Sequence, residues 1–263
     1  MIGRISQAFV STALNSFRER FLAKYGLQPY KDERKPALFF GCYTYKRPDI
    51  DIVKKHKNLA VVVWGGSDAM SIKLNRYHPV LYGPNVRHVA ISRFISEDLS
   101  EMGVSHWYLP VTPSTVRQFE PCPLGDMVYV YSAHSAPQKY GEAIANQVAK
   151  KVPGVKFLFR YANPPGHTPN DQIQDDYAKC FCALRLTRHD GLSNTVVEMG
   201  LMGRRCVWNG WLSNAVPWSG IDGIAKFINR EKEKIGKMYP AISEAVKRDL
   251  ELPANWLDTE FYL

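Results

Sequence analysis

The sequence lacks long hydrophobic runs, has only five cysteines, and is almost neutral after its first 60 residues. No stretch approaches the ~20 uninterrupted apolar residues that a membrane-spanning helix needs. The first residues also lack the apolar run and small-residue cleavage site of a secretory signal peptide, so neither a span nor secretion is expected. An odd number of cysteines without paired spacing predicts reduced thiols in a cytoplasm-like compartment.

Candidate metal ligands are equally scarce. Cys180 and Cys182 flank Phe181, but zinc needs about four ligands and the sequence has no second pair. We therefore interpret these cysteines as alternate residues of a buried strand. No acidic Asp-x-Asp loop suited to Mg²⁺ is present either. The sequence thus predicts no metal and no bound cofactor.

The charge that is present lies mostly at the N-terminal end. Residues 1–60 hold twelve Lys and Arg against five Asp and Glu, a balance of +7 out of the total of +9. Such a segment would attract a polyanion or an anionic membrane surface. A solvated basic face without a partner is the alternative. The candidate polyanion-binding residues are Lys46, Arg47, Lys54, Lys55 and Lys57.

Apolar residues recur at four-residue spacing from Ile5 to Phe21, which predicts an amphipathic helix over residues 2–25 that stops at Gly26. This helix would either lie on a membrane or cover its own domain. Beyond it, strand-like segments occupy residues 37–40, 59–64, 86–92 and 107–111. Helices are expected from Asp49 and over residues 97–102, the latter capped by Ser96 and closed by Gly103.

A proline-rich stretch over residues 110–123 interrupts this alternation and predicts a linker. We therefore expect an N-terminal, acceptor-side domain over residues 1–118 and a C-terminal, donor-binding domain over residues 119–263. In the second half, strands are predicted over residues 127–132, 155–161, 180–186 and 205–208, and helices over 141–151, 171–179, 194–202, 221–236 and 241–250. Alternating strands and helices indicate an α/β fold with two compact Rossmann-like domains, whose ligands bind at the C-terminal ends of strands in the expected cleft.

The most specific segment runs through residues 180–208. A buried strand enters a polar loop, and the loop opens a helix whose free N–H groups and dipole suit a phosphate. Gly191 allows close backbone approach. Ser193 can cap the helix or donate to phosphate. Glu198, expected to lie outside the core, can accept hydrogen bonds from ribose hydroxyls, and Asp190 lies eight positions earlier, where a donor sugar would rest.

This pattern resembles the nucleotide-sugar signature of the GT-B glycosyltransferases of the family 4 type. The signature has an acid, then Gly, a second acid eight positions after the first, a small-residue turn and a strand. Asp190 stands where the family usually has Glu, and residues 199–203 match the turn. The resemblance implies that Glu198 binds the ribose and Asp190 contacts the sugar. It also implies that the diphosphate contacts Ser193, Asn194 and Thr195, and Gly191 is a further candidate donor-binding residue.

Residues 128–139 resemble the first strand and loop of the family's donor domain. There the family has an Arg and, five residues later, a Lys that clamp the diphosphate. Lys139 matches the Lys, whereas His134 replaces the Arg. One phosphate charge must then be met by another residue, and the candidates are Arg160, Arg185 and Arg188.

The resemblance extends over about residues 58–230. In the first half, Gly66, Ser67 and Asp68 follow a buried strand and resemble the acceptor-side loop that faces the donor. Two departures stand out. The N-terminal domain lacks the usual opening strand with its glycine-rich turn. Only a loop lies between Tyr161 and Asp171, where the family has a helix and another strand.

The resemblance implies a retaining hexosyl- or pentosyltransferase with a nucleotide-diphosphate sugar as co-substrate, and no metal is required if the chain's own groups stabilise the leaving diphosphate. Helix-end amides and Lys139 would stabilise the leaving diphosphate. Asp68 would orient or deprotonate the acceptor hydroxyl, so the candidate catalytic residues are Asp68, Lys139 and Asp190. Two alternatives remain open. One is a non-catalytic module that binds a nucleotide sugar or a nucleic acid, and the other is a phosphate-binding α/β enzyme outside this family.

The basic N-terminal segment predicts a large anionic acceptor, because a small neutral one would need no such field. Modified DNA is favoured slightly over an anionic membrane surface with a lipid-linked or cell-surface glycan. The compact basic chain resembles viral glycosyltransferases that decorate hydroxymethylated bases, which would place it in the host cytoplasm. Such a base would be flipped out of the duplex and could stack on Tyr43, Tyr45 or Trp64.

Overall fold

The computed structural model describes residues 3–43, 49–74, 78–114, 118–162, 164–169 and 171–263. Over these residues the fold is α/β, with two sheets whose strands all pair in parallel, which confirms the predicted class of two Rossmann-like domains. Two compact units form. The first contains Met1–Pro113, Asp190–Leu192 and Leu250–Leu263, and the second contains Ser114–His189 and Ser193–Asp249.

The sheet of the first unit has the order β2-β1-β3-β4-β5-β6. Its strands are β1 (Gln7–Val10), β2 (Gln28–Pro29), β3 (Ala37–Phe40), β4 (Ala60–Trp64), β5 (Val86–Ala90) and β6 (Trp107–Tyr108). Its helices are α1 (Arg18–Tyr25), α2 (Asp49–Lys55), α3 (Ser67–Lys73) and α4 (Arg93–Glu101). Every residue of β3 and β4 is buried, as expected for central strands of a parallel sheet with helices on its faces.

The sheet of the second unit has the order β11-β10-β9-β7-β8. Its strands are β7 (Met127–Ser132), β8 (Lys156–Tyr161), β9 (Cys180–Leu184), β10 (Arg205–Val207) and β11 (Ala215–Val216). Its helices are α5 (Glu142–Lys151), α6 (Ile173–Ala178), α7 (Asn194–Leu201), α8 (Ile221–Lys232) and α9 (Pro240–Asp249). Cys180 and Cys182 are free, buried thiols of β9, which confirms their interpretation as strand residues.

The N-terminal segment corrects the prediction of one helix over residues 2–25. Residues Gln7–Val10 form β1, which pairs with β2 and β3, and only Arg18–Tyr25 is an α-helix. Gln7 is buried in β1, and its side-chain amide exchanges hydrogen bonds with the backbone of residues 31–35. An opening strand, which the sequence pattern did not indicate, is therefore present.

The apolar residues of this segment are packed inside the first unit. Ile5 and Phe21 are fully buried, and the ring of Phe21 stacks on Phe40 with 4.5 Å between centroids. These side chains are therefore not available to enter a membrane surface, which removes the basis for the amphipathic-helix version of membrane binding. In the part of the chain that the structure describes, none of the helices is both long enough and apolar enough to cross a bilayer.

The cap of α4 differs from the expected one by four residues. The helix begins at Arg93, and the Oγ of Ser92 accepts a hydrogen bond from the Ile95 N–H at 3.2 Å. Ser92 is therefore the N-cap, and Ser96 lies within the helix. Two serines at helical spacing precede the same apolar pattern, so the sequence alone did not separate them. Gly103 closes the helix in the left-handed conformation, as predicted.

The C-terminal tail belongs to the first unit, whereas the sequence assigned all of residues 119–263 to the second domain. Aromatic packing explains this return. The ring of Trp256 meets Tyr25 edge-on at 5.0 Å, and Tyr262 meets Trp107 edge-on at 5.1 Å. The division after Pro113 lies a few residues before the expected boundary.

Candidate functional site

The motif around residues 180–208 forms a strand–loop–helix arrangement in the second unit. Strand β9 is fully buried, and the helix α7 that follows is buried at every position except Asn194. Its first turn includes Thr195, also one of the predicted donor-binding residues. Ser193 is the N-cap residue, but its side chain makes no capping hydrogen bond. A helix buried along its length presents its first-turn N–H groups at the C-terminal edge of the sheet, where ligands of parallel sheets bind.

The Ser193 hydroxyl is the least satisfied polar group of this arrangement. The residue is 5% exposed, and its Oγ has no hydrogen-bond partner. Leaving a buried donor or acceptor unsatisfied costs about 1–3 kcal/mol. A cost of that kind at a helix N-terminus points to a ligand that supplies the missing partner.

Glu198 lies one turn into α7, and its carboxylate is held by two hydroxyl groups. Contrary to the expectation of a carboxylate outside the core, the residue is only 4% exposed. Its Oε1 accepts a hydrogen bond from Ser114 Oγ at 2.8 Å, and its Oε2 accepts one from Tyr177 Oη at 3.0 Å. Glu198 is therefore a fixed, buried carboxylate.

The loop after β7 carries the two residues that resemble the diphosphate clamp. Lys139 is exposed, and its ammonium lies 5.7 Å from the centroid of the Tyr140 ring. His134 is also exposed and stacks on Tyr161 with 4.0 Å between centroids, while its Nε2 lies 2.8 Å from the Pro165 carbonyl oxygen. The structure thus places both residues at the C-terminal edge of the second sheet.

The three arginines proposed to replace the missing clamp residue differ in their surroundings. Arg160 makes a two-point ion pair with Asp176, at 2.6 and 3.0 Å. The Arg185 guanidinium is buried between the rings of Tyr131 and Tyr140, at 5.0 and 4.9 Å from their centroids. Arg188 is exposed beside the loop that enters α7. Arg160 is therefore committed to its carboxylate partner.

Asp176 is the centre of a small polar network at the end of β8. Burial alone would raise the pKa of Asp176, but hydrogen bonds from Arg160, Thr168 and Lys179 outweigh it and lower the pKa to about 2. The same residues line a polar cavity of about 400 Å³ between β8 and α6. Within this network, Arg160 and Lys179 both form ion pairs with Asp176.

Asp190 and Gly191 group with the first unit, apart from the helix that they precede. The Asp190 carbonyl accepts a hydrogen bond from Ser92 Oγ at 3.3 Å. A Cβ atom on Gly191 would lie 2.1 Å from the Gly65 carbonyl oxygen, so only glycine fits at this close approach. Within the first unit, the Asp190–Gly191 turn thus contacts the Gly65–Gly66 turn that follows β4.

Asp68 organises the turn between β4 and α3. The residue is fully buried, and its carboxylate accepts hydrogen bonds from the backbone N–H groups of Cys42, Gly65 and Gly66 at 2.7–3.1 Å. Burial raises the pKa of Asp68, although these amides oppose the shift. The geometry suits a positioning role, in contrast to the predicted contact with an acceptor hydroxyl. Ser67 lies beside it, 3.4 Å from the Tyr43 hydroxyl.

The described residues of the predicted polyanion-binding set lie near the N-terminal ends of the strands of the first sheet, away from Gly66 at the C-terminal end of β4. Helix α2 returns from the C-terminal end of β3 to the N-terminal end of β4, so the exposed Lys54 and Lys55 in its last turn lie near that N-terminal end. Lys57 forms an ion pair with Glu33. Since β4 has five residues at ~3.3 Å per residue, its two ends lie about 16 Å apart, with these lysines near one end and Gly66 after the other. Lys46 and Arg47 lie outside the described residues.

The three aromatic residues proposed for base stacking have different outcomes. Trp64 is fully buried, and its indole N–H donates to His88 Nδ1 at 3.1 Å, so it is not available to stack on a base. Tyr43 is half-buried beside Ser67. Tyr45 lies outside the described residues.

Sequence reasoning missed several residues that build this site. Ser114 and Tyr177 hold Glu198 although they lie 84 and 21 positions away from it. Asn214 donates to the Val196 and Arg204 carbonyls and packs where a Cβ on Gly200 would lie, 2.6 Å from its Nδ2. The only available signal was the small residue at position 200, within the turn that matches the family signature.

Comparison with solved structures shows the fold of GT-B glycosyltransferases. TarM superposes with a TM-score of 0.59 at 12% identity, over 90% of this chain and 55% of TarM. Sucrose-phosphate synthase from Thermosynechococcus elongatus superposes with a TM-score of 0.59 at 11% identity, over 88% of this chain and 71% of that enzyme. An S. aureus TarM variant in complex with fondaparinux, α-GlcNAc-glycerol and UDP gives 0.58 at 14% identity, over 94% of this chain and 56% of that one.

This chain therefore spans little more than half the length of TarM. Identities this low show likeness of fold alone. No protein-family model matches the sequence, and no curated protein matches it. The fold thus defines the class as an α/β protein with the fold of GT-B glycosyltransferases.

Proposed function

We propose that this protein transfers a sugar from a nucleotide-diphosphate sugar to a hydroxyl acceptor, and that its second unit binds the donor. The observation that carries the proposal is the pair of buried groups on α7. An unsatisfied Ser193 hydroxyl stands at the helix N-terminus, and one turn later stands the fixed Glu198 carboxylate. A diphosphate would satisfy the first, and a ribose diol would donate to the second.

The chemistry follows from where charge develops. As the bond between the anomeric carbon and the diphosphate breaks, negative charge grows on the leaving phosphate. First-turn N–H groups of α7, the Ser193 hydroxyl and the Lys139 ammonium would stabilise that charge. Donors that are already oriented need no reorganisation in the transition state, so we propose a metal-independent reaction. We also propose retention of configuration, on the basis of the family resemblance.

The role of Asp68 is revised in this proposal. Because its carboxylate accepts three backbone N–H groups, Asp68 would fix the Gly65–Gly66 turn. Gly66 and Ser67 would then present the acceptor-side surface.

The donor site can be tested with two matched hydroxyl deletions. Ser193 and Ser243 both carry buried hydroxyls without partners in the second unit. Ser193→Ala should weaken binding of a nucleoside diphosphate about tenfold or more, because a hydrogen bond to a charged group contributes about 1.5–3 kcal/mol. Ser243→Ala should leave it unchanged. Affinities would be measured by titration calorimetry after a thermal-shift screen of ADP, CDP, GDP and UDP.

The same screen separates the alternatives. Release of nucleoside diphosphate from a nucleotide sugar would support a transferase, whereas tight binding without release would indicate a non-catalytic module. No stabilisation by any nucleoside diphosphate at high concentration would overturn the proposal and leave a phosphate-binding α/β enzyme of another kind. A ligand at 100 times its dissociation constant stabilises by about 2.7 kcal/mol, well within detection.

For the acceptor we propose a polyanion, with modified DNA ahead of an anionic membrane surface. Residues 1–60 carry a balance of +7 out of the total of +9. The exposed Lys54 and Lys55 lie near the N-terminal end of β4, whereas Gly66 follows its C-terminal end, about 16 Å along the strand. A small acceptor could not touch both places, whereas a duplex can. Burial of Ile5 and Phe21 takes away the apolar half of a membrane anchor.

Replacing Lys54 and Lys55 together by glutamate should weaken duplex DNA binding at least tenfold at low salt. The reason is that two phosphate contacts are lost and two repulsive charges are added. Lys150 and Lys151, another exposed pair in the last turn of a helix, provide the matched control. Salt-series binding to DNA and, separately, to anionic vesicles would be measured. Vesicle binding that exceeds DNA binding, or binding to neither, would contradict the DNA proposal.

A further inference from the structure

The Glu198 carboxylate accepts hydrogen bonds from two separate parts of the second unit. Ser114 is the first residue of that unit, and Tyr177 lies in the last turn of α6. One donates to Oε1 and the other to Oε2, at 2.8 and 3.0 Å. Because an ionised carboxylate only accepts hydrogen bonds, both hydroxyls must act as donors to it. Two donors on different oxygens fix the plane of the carboxylate as well as its position.

The two donors are themselves immobile. Ser114 and Tyr177 are each 2% exposed. The Tyr177 ring meets Tyr129 edge-on at 5.0 Å and lies 6.2 Å from the Phe119 ring. Burial raises the pKa of the Tyr177 hydroxyl well above its usual value, which favours the protonated form that donates to Glu198. Glu198 is therefore oriented before any ligand arrives.

We propose that Ser114 and Tyr177 are positioning residues that aim the Glu198 carboxylate at the ribose 2′- and 3′-hydroxyls and thereby set a preference for ribonucleotides over 2′-deoxyribonucleotides. This inference rests on the donor site proposed above. A cis-diol forms two hydrogen bonds to one carboxylate only when the carboxylate plane is correctly turned. Fixing that plane in the free protein removes the entropy cost of ordering it on binding. A ligand without the 2′-hydroxyl gains less from the same orientation.

The experiment compares Tyr177→Phe with Tyr129→Phe in the full chain. Tyr129 is equally buried and packs edge-on against the Tyr177 ring, and in the described part of the protein it is not a donor to Glu198. Both variants lose one buried phenol hydroxyl, so both report on general damage to the core. The probes are ADP, CDP, GDP and UDP with their 2′-deoxy counterparts, and calorimetry gives the affinity ratio of each pair. Ser114→Ala and Ser114→Thr form the second arm, because threonine restores the hydroxyl.

We expect the ribo-to-deoxy affinity ratio to fall about fivefold or more in Tyr177→Phe and in Ser114→Ala. It should stay at the wild-type value in Tyr129→Phe and recover at least partly in Ser114→Thr. If the wild type binds ribonucleotides with a clear preference and Tyr177→Phe keeps that preference, the positioning role is wrong while the donor site stands. If the wild type binds none of the probes, the donor site fails, and this inference fails with it.

Discussion

Glu198→Gln is expected to weaken binding of the nucleoside diphosphate by about 10- to 100-fold while the protein stays folded. The substitution removes the negative charge but keeps the shape of the side chain. A hydrogen bond to a charged acceptor contributes about 1.5–3 kcal/mol, and two ribose hydroxyls would lose that acceptor. Glutamine is preferred to alanine because Glu198 is buried and holds the hydroxyls of Ser114 and Tyr177, which alanine would leave without a partner.

The matched control is Glu231→Gln in α8. Glu231 is 3% exposed, lies in the same unit, and forms its ion pair with Lys234 at 2.7 Å. This variant loses a carboxylate that is as buried as that of Glu198, but it should bind the nucleotide with wild-type affinity. Calorimetric affinity and the denaturant midpoint would be measured for both. If Glu198→Gln bound the nucleotide with wild-type affinity, the ribose assignment would be wrong.

The parts of the fold that sequence could predict are those with an unambiguous apolar pattern. Strand β9 and helix α7 are buried along nearly their whole length, and their runs of apolar residues predict buried elements of the core. Both elements also lie next to each other in the chain, which made the strand–loop–helix motif visible. Residues 164–169 form neither helix nor strand, and this was predictable for the opposite reason, since their prolines and glycine disfavour both.

The N-terminal segment shows where pattern reasoning fails. A four-residue spacing of Ile5 and Phe9 suits a helix, but a strand of four residues is too short to display its own period. What decides the outcome is distant. The Gln7 side chain bonds to the backbone of Asp32 and Lys35, and β1 pairs with β3, roughly thirty residues away. The local sequence pattern does not indicate contacts with residues so far away in the chain.

Only the part of the candidate site that lies within residues 180–208 could be predicted from the sequence. Ser193 and Glu198 belong to that segment and were found. The positions of their neighbours depend on packing between elements, so Ser114 and Tyr177 had no sequence signal of their own. The burial of single polar side chains could not be predicted from the sequence either. Asp68 was therefore predicted to face an acceptor, although its carboxylate is enclosed by backbone amides.

Arg204 provides the strongest example of a residue defined by packing alone. It is fully buried, and its guanidinium donates to six backbone carbonyl oxygens. Two of them, those of Tyr177 and Ala178, lie in the last turn of α6, where the carbonyl ends of a helix carry partial negative charge. The others belong to Cys122, Pro123, Cys180 and Met202. One side chain thus joins α6, the start of β9, the end of α7 and the segment before β7.

Arg204→Met should therefore destabilise the second unit strongly, by on the order of 3–5 kcal/mol. Methionine fills much of the volume, but it leaves several buried carbonyl oxygens without a donor, and each such group costs about 1–3 kcal/mol before the structure relaxes. Arg205→Met is the control, because the neighbouring side chain is only partly buried and surface changes usually stay within about 0.5 kcal/mol. Urea unfolding followed by circular dichroism would measure both midpoints. Equal midpoints for the two variants would mean that water or backbone rearrangement replaces the Arg204 hydrogen bonds, and that this guanidinium does not hold the unit together.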